Sequence, residues 1–345
     1  MLVETQLIEA IAPDIMQNIQ DRYRVLQNIY WMQPIGRRNL AESLELTERV
    51  LRTETDLLKK LNLIATSKSG MYLTEKGEKV YEQLVKLMDQ LFGMQQLEKK
   101  IADSFAIDRC MIVDGDSDRQ KKVAEEFGSL LNEILKSKLP DGKNIIAVMG
   151  GTTMAVAAKQ LTSLKTEKRR NLFVPARGGI GEAVNLQANS VSAEMAIRSQ
   201  GEYRTLYVPE QLSLATYESL LKEPSIVEVL ELIDRSNCVV HGIGRALHMA
   251  ARRKMSEKEI LMLKQKNAVA ESFGYFFDED GKVVYKVPSV GLQLKGIKSI
   301  PYIFAIAGGK SKAKAIRAYL KNAPKQTWLI TDAAAANQIL KGISL

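Results

Sequence analysis

The sequence IIAVMGGTTMAVAAKQL, from Ile145 to Leu161, joins a predicted buried strand to a predicted helix through two glycines and two threonines. The five apolar residues before Gly150 are typical of a strand that is covered on both faces. The alanine-rich segment after Thr153 favours a helix. Two explanations fit the Gly-Gly-Thr-Thr turn: a tight turn with a helix N-cap, or an anion held at the start of the helix.

Apolar runs and helical patterns alternate along the chain from about residue 107 onward. Besides the run before Gly150, six segments are predicted as strands: RCMIV (109–113), NLFVP (171–175), TLYVP (205–209), CVVHGIG (238–244), YIFAIAGG (302–309) and TWLIT (327–331). Helical patterns separate most of them, for example over 118–138, 184–199 and 311–322. This order predicts a largely parallel sheet between layers of helices, with a hairpin or small insertion around 278–281.

Residues 21–80 have a different pattern, which predicts a winged helix-turn-helix. A helical segment, DRYRVLQNIYWM, is followed by the short segment PIGRRNLAESL and by a second helix in ELTERVLRTETDLLKKLNLI. Two short strands are predicted at Leu63–Thr66 and Met71–Thr74, with Lys68 to Gly70 as the turn between them. Closely spaced helices followed by a hairpin are the order of a winged helix-turn-helix.

Capping and burial are predicted for the same helices. Thr47 has the side chain of an N-cap for the second helix, and Thr74 for the helix after the hairpin. The side chains predicted to be buried are Tyr23, Leu26, Ile29 and Tyr30 in the first helix, and Val50, Leu57, Leu58 and Leu61 in the second.

The opposite face of the second helix decides whether this module binds DNA. Arginines in the first turns of such a helix reach guanine N7 and O6 in the major groove. The eleven Lys and Arg against eight acids over 21–79 are a modest excess, so a small packing or dimerisation module is the alternative. We expect DNA binding because the order of elements and the arginine positions agree. The candidate DNA-contacting residues are Arg37, Arg38, Arg49, Arg52, Thr53 and Lys68.

An apolar pattern with spacings of three and four continues from residue 78 to 104 and predicts a long helix between the two parts. Gly93 weakens this pattern. The helix is also a candidate pairing surface between two chains, as expected of a protein that contacts two DNA half-sites. Three segments are therefore predicted: a head (1–80), a linker helix (81–105) and a body (106–345).

Charge and cysteine content restrict the partners and the compartment. The net charge of +9 indicates an anionic partner. The span from Gly281 to Thr331 holds ten Lys and Arg and no acid, although a solvated basic surface accounts for most of them. The chain has no apolar run long enough for a transmembrane helix and no signal-peptide pattern at its start. Cys110 and Cys238 are predicted to be buried free thiols, which is typical of a cytoplasmic protein.

Glycine pairs follow three of the predicted strands. They are Gly150–Gly151, Gly178–Gly179 after Arg177, and Gly308–Gly309 before Lys310. Ligands of open α/β sheets bind beyond the carboxyl ends of the strands, and glycines let the backbone approach an anion. The motifs are neither a P-loop nor a dinucleotide-binding turn. Taken together, they predict a divided cradle for a small phosphorylated ligand, with structural turns as the alternative.

Catalytic signatures are scarce. The chain has two histidines, and His241 lies in an apolar run, which predicts a core residue rather than a general base. The sequence carries no metalloprotease, nucleophile-elbow or cysteine-cluster motif, so we assign no catalytic residue and no metal site. Carboxylate and lysine chemistry would be sufficient for a sugar-phosphate isomerase, but a DNA-binding head fits ligand sensing better.

Both parts of the chain resemble the SorC family of bacterial transcription regulators. In the head the resemblance is carried by GRRNLAESLELTERVLRTETDLLKKLNLI. In the body it is carried by VMGGTTMAVAAKQL, FVPARGGIGEAVNLQANSVSAEMA and AIAGGKSKAKAIRAYLK. It covers nearly the whole length, and the body motifs are specific, whereas the head motif occurs in many winged-helix proteins. The resemblance implies a body similar in fold to sugar-phosphate isomerases of the glucosamine-6-phosphate deaminase type, which does not imply their activity.

The branch of the family that this chain resembles represses glycolytic genes. The resemblance therefore implies a repressor rather than an enzyme, which assembles from dimers into tetramers on operator DNA. It implies a sugar-phosphate effector, fructose-1,6-bisphosphate, that weakens DNA binding. A sugar-phosphate isomerase-like enzyme with an appended interaction module is the alternative. The effector-contacting residues that the resemblance implies are Gly150, Gly151, Thr152, Thr153, Arg177, Gln187 and Lys310, with Arg252 and Glu271 as weaker candidates.

Overall fold

A computed structural model of the chain describes residues 11–44, 46–92, 94–179, 183–208 and 214–341. The contacts within the chain divide it into two compact units. The first unit comprises Met1–Leu97 and Gln120–Lys122, and the second comprises Glu98–Arg119 and Val123–Leu345. The division between Leu97 and Glu98 falls within the segment predicted as a linker helix.

The first unit contains the predicted succession of helices and hairpin. Its helices and strands are α1 (Pro13–Met32), α2 (Arg37–Leu44), α3 (Glu48–Lys60), β1 (Ile64–Ser67), β2 (Gly70–Leu73) and α4 (Glu75–Phe92). The strands β1 and β2 pair antiparallel, with Ile64 opposite Leu73. Both predicted caps are confirmed, because the Thr47 hydroxyl accepts from the Val50 amide and the Thr74 hydroxyl from the Gly77 amide.

The predicted buried stripe of α3 is partly wrong. Val50 and Leu61 are exposed, and the buried side chains are Leu51, Thr55 and Leu58. The reason is that Thr55 completes the stripe: its hydroxyl donates to the backbone oxygen of Leu51 at 2.9 Å, which satisfies a polar group inside the core. A pattern based on apolar residues alone misses Thr55, and it therefore selects Val50 instead of Leu51 as the first buried residue.

The linker pattern corresponds to two helices, α4 and α5 (Met94–Phe105). Gly93, which weakens the pattern, lies outside the described residues. Within α4, Met88 is buried, whereas Val85 and Leu87 are exposed. The proposed pairing surface between two chains remains a prediction.

The second unit is built on a seven-stranded sheet in which every pairing is parallel, in the order β3-β13-β12-β7-β4-β5-β6. This confirms the predicted mostly parallel α/β body. Its strands are β3 (Arg109–Val113), β4 (Gly142–Val148), β5 (Arg169–Pro175), β6 (Glu202–Tyr203), β7 (Cys238–Gly242), β12 (Tyr302–Ile306) and β13 (Thr327–Asp332). The chain runs outward from β4 to β6, returns to β7 beside β4, and then runs outward the other way, so that β4 and β7 flank a topological switch point.

Ten helices of the second unit follow its strands along the described part of the chain. They are α6 (Lys121–Lys138), α7 (Thr152–Ala158), α8 (Ala188–Ser199), α9 (Leu214–Leu220), α10 (Pro224–Asp234), α11 (Ala246–Arg252), α12 (Glu257–Gln265), α13 (Leu294–Ile297), α14 (Ala313–Leu320) and α15 (Ala333–Lys341). Single 3₁₀ turns, Val184–Leu186 and Lys310–Lys312, precede α8 and α14. The side chains of β4 and β7 are buried almost throughout, as expected of parallel strands between two helical layers.

A second, antiparallel sheet corresponds to the predicted insertion. Its strands are β8 (Gly244–Arg245), β9 (Ala268–Ser272), β10 (Tyr275–Asp278) and β11 (Val283–Lys286), paired in the order β11-β10-β9-β8. The turn between β10 and β11 lies around 278–281, where the hairpin is predicted. Because β8 begins two residues after β7 ends, the smaller sheet starts at the carboxyl edge of the larger one.

The predicted strand TLYVP is wrong over its described residues, 205–208. The edge strand of the sheet is the preceding pair Glu202–Tyr203. The side chain of Asn189 accounts for the difference, because its oxygen accepts from the Leu206 amide at 2.9 Å and its nitrogen donates to the Leu206 oxygen at 3.0 Å. A side-chain amide therefore occupies the backbone groups that a strand would pair with its neighbour.

Both cysteines are free and buried, as predicted: Cys110 lies on β3 and Cys238 on β7. Burial raises the pKa of both thiols, and the nearby Glu98 carboxylate adds to the effect on Cys110. Among the described residues, no helix has both the length and the hydropathy needed to span a membrane.

Candidate functional site

A cleft lies at the switch point between β4 and β7 in the second unit. One side is formed by the end of β4 and the start of α7, from Met149 to Met154. Another is formed by the chain after β7, Gly242–Arg245, and by α11. The remaining lining comes from β9, from the turn before α14 and from Asp118. Clefts at such switch points are the usual ligand sites of open α/β sheets.

The Gly-Gly-Thr-Thr turn lines this cleft, and it is not closed by a threonine N-cap. Gly151 is the N-cap of α7, with φ 123°, and Thr152 is the first residue of the helix. Because glycine has no side-chain oxygen, it cannot cap the amides of the first turn. The capping explanation for the two threonines is therefore wrong, and their hydroxyls are left for other partners.

Gly150 has a structural reason to be glycine. A Cβ atom there would lie 2.3 Å from the backbone oxygen of Leu186, which also accepts from the Gly151 amide at 2.8 Å. The segment before α8 thus packs directly on the turn.

Three further glycine amides of the predicted cradle are engaged within the protein. The amides of Gly178 and Gly179 donate to the backbone oxygens of Val290 and Val208. The Gly309 amide donates to a carboxylate oxygen of Asp332 at 2.6 Å. These four bonded amides shape the strand ends, and the divided phosphate cradle remains a prediction.

Basic side chains line the cleft. Arg245, His248, Arg252 and Lys312 are among its lining residues. The Lys312 ammonium donates to the Thr153 hydroxyl at 3.2 Å, which joins the turn before α14 to the start of α7. Burial lowers the pKa of Lys312; the carboxylates of Asp118 and Asp332 oppose that shift, whereas Arg245 and Arg252 add to it. An anionic ligand would relieve the mutual repulsion of these cations.

A buried ion pair forms the floor beside β9. Glu271 Oε1 accepts from the Arg253 guanidinium at 2.8 Å and from the Gly274 amide at 2.7 Å. Both side chains of the pair are almost fully buried. The other carboxylate oxygen, Oε2, faces Gly244, where a Cβ atom would lie 3.7 Å away. Arg253 and the Gly274 amide thus hold the carboxylate of Glu271, a lining residue of the cleft, through its Oε1.

His241 is a core residue, as predicted. It is fully buried, and burial lowers its pKa to about 4. Its Nδ1 lies 3.1 Å from the Ser272 hydroxyl and its Nε2 lies 3.1 Å from the Tyr319 hydroxyl. Both ring nitrogens are therefore engaged in packing the centre of the second unit.

The structure brings some of the predicted effector-contacting residues together and leaves others apart. Those that line the cleft are Gly150, Gly151, Thr152, Thr153, Arg252 and Glu271. Those that are not among its lining residues are Arg177, Gln187 and Lys310. Their role in effector binding remains a prediction.

Each of these three residues has a definite position. Arg177 is buried, and its guanidinium lies against Gly274, where a Cβ atom would be 2.6 Å from Nη1. Gln187 is the N-cap of α8 and lies beside Gly150. Lys310 is exposed at the first position of the 3₁₀ turn before α14.

The residues that sequence patterns missed are Arg245, His248 and Lys312. Lys312 follows Lys310 by two residues, and the 3₁₀ turn directs the two side chains differently. Arg245 and His248 come soon after β7. That strand was predicted from the run CVVHGIG, which has no glycine pair at its end to mark a ligand site. The signal for Arg245 and His248 is their position after β7, one of the two strands that flank the switch point, where ligands of open sheets bind.

In the first unit, the candidate DNA-contacting side chains share one property: all are exposed. They are Arg37, Arg38, Arg49, Arg52, Thr53 and Lys68. Arg52 Nε lies 3.8 Å from a carboxylate oxygen of Asp56, one turn further along α3. Val50, predicted as core, lies exposed between Arg49 and Arg52 and adds an apolar group to the same surface.

Family comparisons assign a type to each part of the chain. Residues 18–88 match the family described as "CggR N-terminal DNA binding domain". Residues 89–341 match the family described as "Putative sugar-binding domain". The central glycolytic genes regulator of Bacillus subtilis is 44% identical over 97% of this chain and 99% of its own length. That of Priestia megaterium is 44% identical over 99% of this chain and 98% of its own length.

Solved structures agree with these assignments. A crystal structure from Enterococcus faecalis, described as a "putative SorC family transcriptional regulator", is 71% identical over 71% of this chain and 99% of its own, with a TM-score of 0.69. The full-length sorbitol operon regulator SorC of Klebsiella pneumoniae covers 95% of this chain and 99% of its own at 15% identity, with a TM-score of 0.65, which shows the fold alone. The chain therefore belongs to the SorC family of DNA-binding, sugar-binding transcriptional regulators, within the group of the central glycolytic genes regulators.

Proposed function

We propose that the chain is a cytoplasmic repressor that binds operator DNA upstream of glycolytic genes and is weakened in that binding by fructose-1,6-bisphosphate or a related sugar phosphate. In this proposal the head (1–80) contacts DNA, the helical linker (81–105) joins it to the body, and the body (106–345) holds the effector. The names of the 44% identical relatives support the glycolytic role. The observation that carries the ligand proposal is the group of cations around Thr152 and Thr153 at the switch point.

The composition of the cleft supports a phosphorylated sugar in particular. Lys312 and the threonine hydroxyls are donors suited to a phosphate. Glu271 Oε2 is an acceptor suited to a sugar hydroxyl. Arg245, Arg252, Arg253 and Lys312 outnumber the two acids of the lining, Asp118 and Glu271, and this excess of positive charge favours a phosphorylated sugar over a neutral one.

The surface of α3 supports the DNA-binding part of the proposal. Arg49, Arg52 and Thr53 are exposed opposite the buried stripe of Leu51 and Leu58, in the first turns, which such helices place against base edges. We propose that they contact bases. Lys68, in the turn of the hairpin, and the arginines Arg37 and Arg38 at the start of α2 would contact phosphates.

The relatives' family and the apolar side chains exposed on α4 support assembly of the chain into dimers and of dimers into tetramers on DNA. Val85 and Leu87 are 38% and 41% exposed, on the helix that enters the linker. Half-sites of operators are spaced to match the symmetry of such assemblies.

Effector and operator binding should oppose each other. We expect fructose-1,6-bisphosphate to lower operator affinity by about 5- to 150-fold, the range given by coupling energies of about 1–3 kcal/mol. By linkage, saturating operator must lower affinity for the sugar bisphosphate by the same factor. Anisotropy of labelled operator DNA, with and without ligand, measures the first quantity, and calorimetry with and without DNA measures the second.

Unphosphorylated fructose is the control ligand in that experiment, and sedimentation of the same samples reports the assembly on DNA. If fructose-1,6-bisphosphate binds but leaves both operator affinity and assembly unchanged, the proposed regulatory role is wrong. If a tested sugar phosphate strengthens operator binding, the proposed sign of regulation is wrong.

Effector binding should also depend on the protonation of His248. Burial, and after it the charges of Arg245, Arg252 and Lys312, lower the pKa of His248 below its ordinary value. A bound phosphate favours the imidazolium and raises that pKa, so binding takes up a proton, and affinity gains as pH falls below about 6.5. The ratio of wild-type to His248→Gln affinity, measured by calorimetry between pH 8 and 5.5, should rise toward acid. Protonation of the ligand phosphate affects both proteins equally and does not change this ratio. A ratio that stays constant with pH would show that His248 does not contact the ligand.

A further inference from the structure

An aspartate occupies part of the anion-binding cleft. One carboxylate oxygen of Asp118 accepts from the Ser311 amide at 2.7 Å, and the other accepts from the Ser311 hydroxyl at 3.0 Å. The same carboxylate lies against Gly309, where a Cβ atom would be 2.3 Å from Oδ1. Asp118 and Ser311 are 193 residues apart in the chain. A glycine with φ 92° allows this close approach of a charged group to the backbone.

The donors that hold Asp118 are those that a phosphate would use. A backbone amide and a hydroxyl converge on one anionic group, and Lys312, the next residue, lines the same cleft. The negative charge of Asp118 favours the charged form of this half-buried lysine. The carboxylate therefore accepts both hydrogen bonds from Ser311 and opposes the lowering of the Lys312 pKa.

Asp118 can leave this position without releasing its loop. A different carboxylate, that of Asp332, accepts from the amides of Ser117 and Gly309 at 2.9 Å and 2.6 Å and ties the loop to the glycine turn. Asp332 is fully buried, whereas Asp118 is exposed. Rotation of the Asp118 side chain toward solvent would thus break two hydrogen bonds and leave the buried attachment intact.

We propose that Asp118 is an internal competitor of the effector: its carboxylate occupies the anion position at Ser311 in the empty site, and a ligand phosphate binds there by displacing it. The inference rests on the proposed function, in which the cleft holds a sugar phosphate. Displacement by an anion is favourable only when the ligand gains further contacts, for example at Thr153 and Glu271. Asp118 thereby sets the ligand concentration at which the site fills and keeps small inorganic anions out.

The test is the substitution Asp118→Asn, which keeps the size of the side chain and an acceptor for Ser311 but removes the charge. Because displacing a neutral amide costs less than displacing a carboxylate beside cations, we expect about tenfold tighter binding of fructose-1,6-bisphosphate and of inorganic phosphate. Unphosphorylated fructose should bind as it does to the wild type. Calorimetry with the full chain at constant ionic strength measures all three ligands.

Asp141→Asn is the matched control, since it makes the same charge change beside Gly142, at the amino end of β4. Asp118→Ser is the second variant if the asparagine protein fails to fold. Weaker phosphate binding in Asp118→Asn would overturn the inference and make Asp118 a support for Ser311 and Lys312. Equal tightening in Asp141→Asn would overturn it as well, because the effect would then be one of net charge.

The outcomes for the two proposals are separate. Failure of the wild type to bind any sugar phosphate contradicts the proposed function, whatever Asp118 does. Tighter binding of inorganic phosphate by Asp118→Asn supports the competitor role even then, since that probe needs only the position at Ser311. If the wild type binds the bisphosphate and Asp118→Asn binds it with the same affinity, only the competitor role is contradicted.

Discussion

Replacing Arg49 with alanine should lower operator affinity by about 1–3 kcal/mol, or roughly 5- to 150-fold, and relax specificity for one base pair. Arg49 is exposed in the first turn of α3, and the Leu51–Leu58 side of the helix is buried. Arg52 should matter less, because Asp56 lies 3.8 Å from its Nε and competes for the guanidinium. Anisotropy with the operator and with single-base variants, at one fixed salt concentration, measures both effects.

Lys60→Ala is the matched control for Arg49, since it removes an exposed cation from the last turn of the same helix. Because only the first turns of such a helix are expected to reach base edges, this variant should keep the wild-type ranking of operator variants. Loss of specificity in Lys60→Ala, with none in Arg49→Ala, would mean that α3 docks through its other end.

The second large effect is expected for Lys312→Met, which should weaken binding of fructose-1,6-bisphosphate by roughly 10- to 150-fold. A charged hydrogen bond to phosphate contributes about 1.5–3 kcal/mol, and methionine retains the aliphatic length without the charge. Lys312 lines the cleft and donates to Thr153 at 3.2 Å. Calorimetry gives the affinity, and thermal unfolding checks that the variant is folded.

Lys310→Met is a discriminating control because it changes a lysine two positions away. The sequence pattern predicts Lys310 as the effector-contacting residue, but in the structure this side chain is exposed and is not among those lining the cleft. If Lys310→Met loses binding and Lys312→Met keeps it, ligand binding must rearrange the 3₁₀ turn, and the site geometry described here is wrong.

Local patterns predicted the fold because each part of it buries apolar groups at a regular spacing. The second half of β4, residues 145–148, is a continuous apolar run, and the caps at Thr47 and Thr74 are short-range interactions. Predictions failed where a polar side chain replaces an expected apolar or backbone partner. Thr55 completes the stripe of α3 by bonding to its own helix, and Asn189 occupies the backbone groups of Leu206.

The candidate site was predictable only in part. A strand end can be recognised from a short stretch of sequence, but the residues that contact it come from distant parts of the chain. The β4 turn could be found from its glycines and threonines. Which lysine of the pair 310 and 312 lines the cleft depends on the direction of a single 3₁₀ turn. The contact of Asp118 with Ser311 joins residues 193 positions apart, and no local pattern indicates it.

Alkylation of the two buried thiols can report local unfolding of the second unit. Only a thiolate reacts with alkylating reagents, and burial disfavours thiolates at both cysteines. Cys110 lies on β3, an edge strand bonded to a single neighbour, whereas Cys238 lies on β7, between two neighbours. Alkylation of Cys110 alone would therefore indicate fraying at the edge of the sheet. Alkylation of Cys238 would indicate unfolding at its centre, beside the ligand cleft.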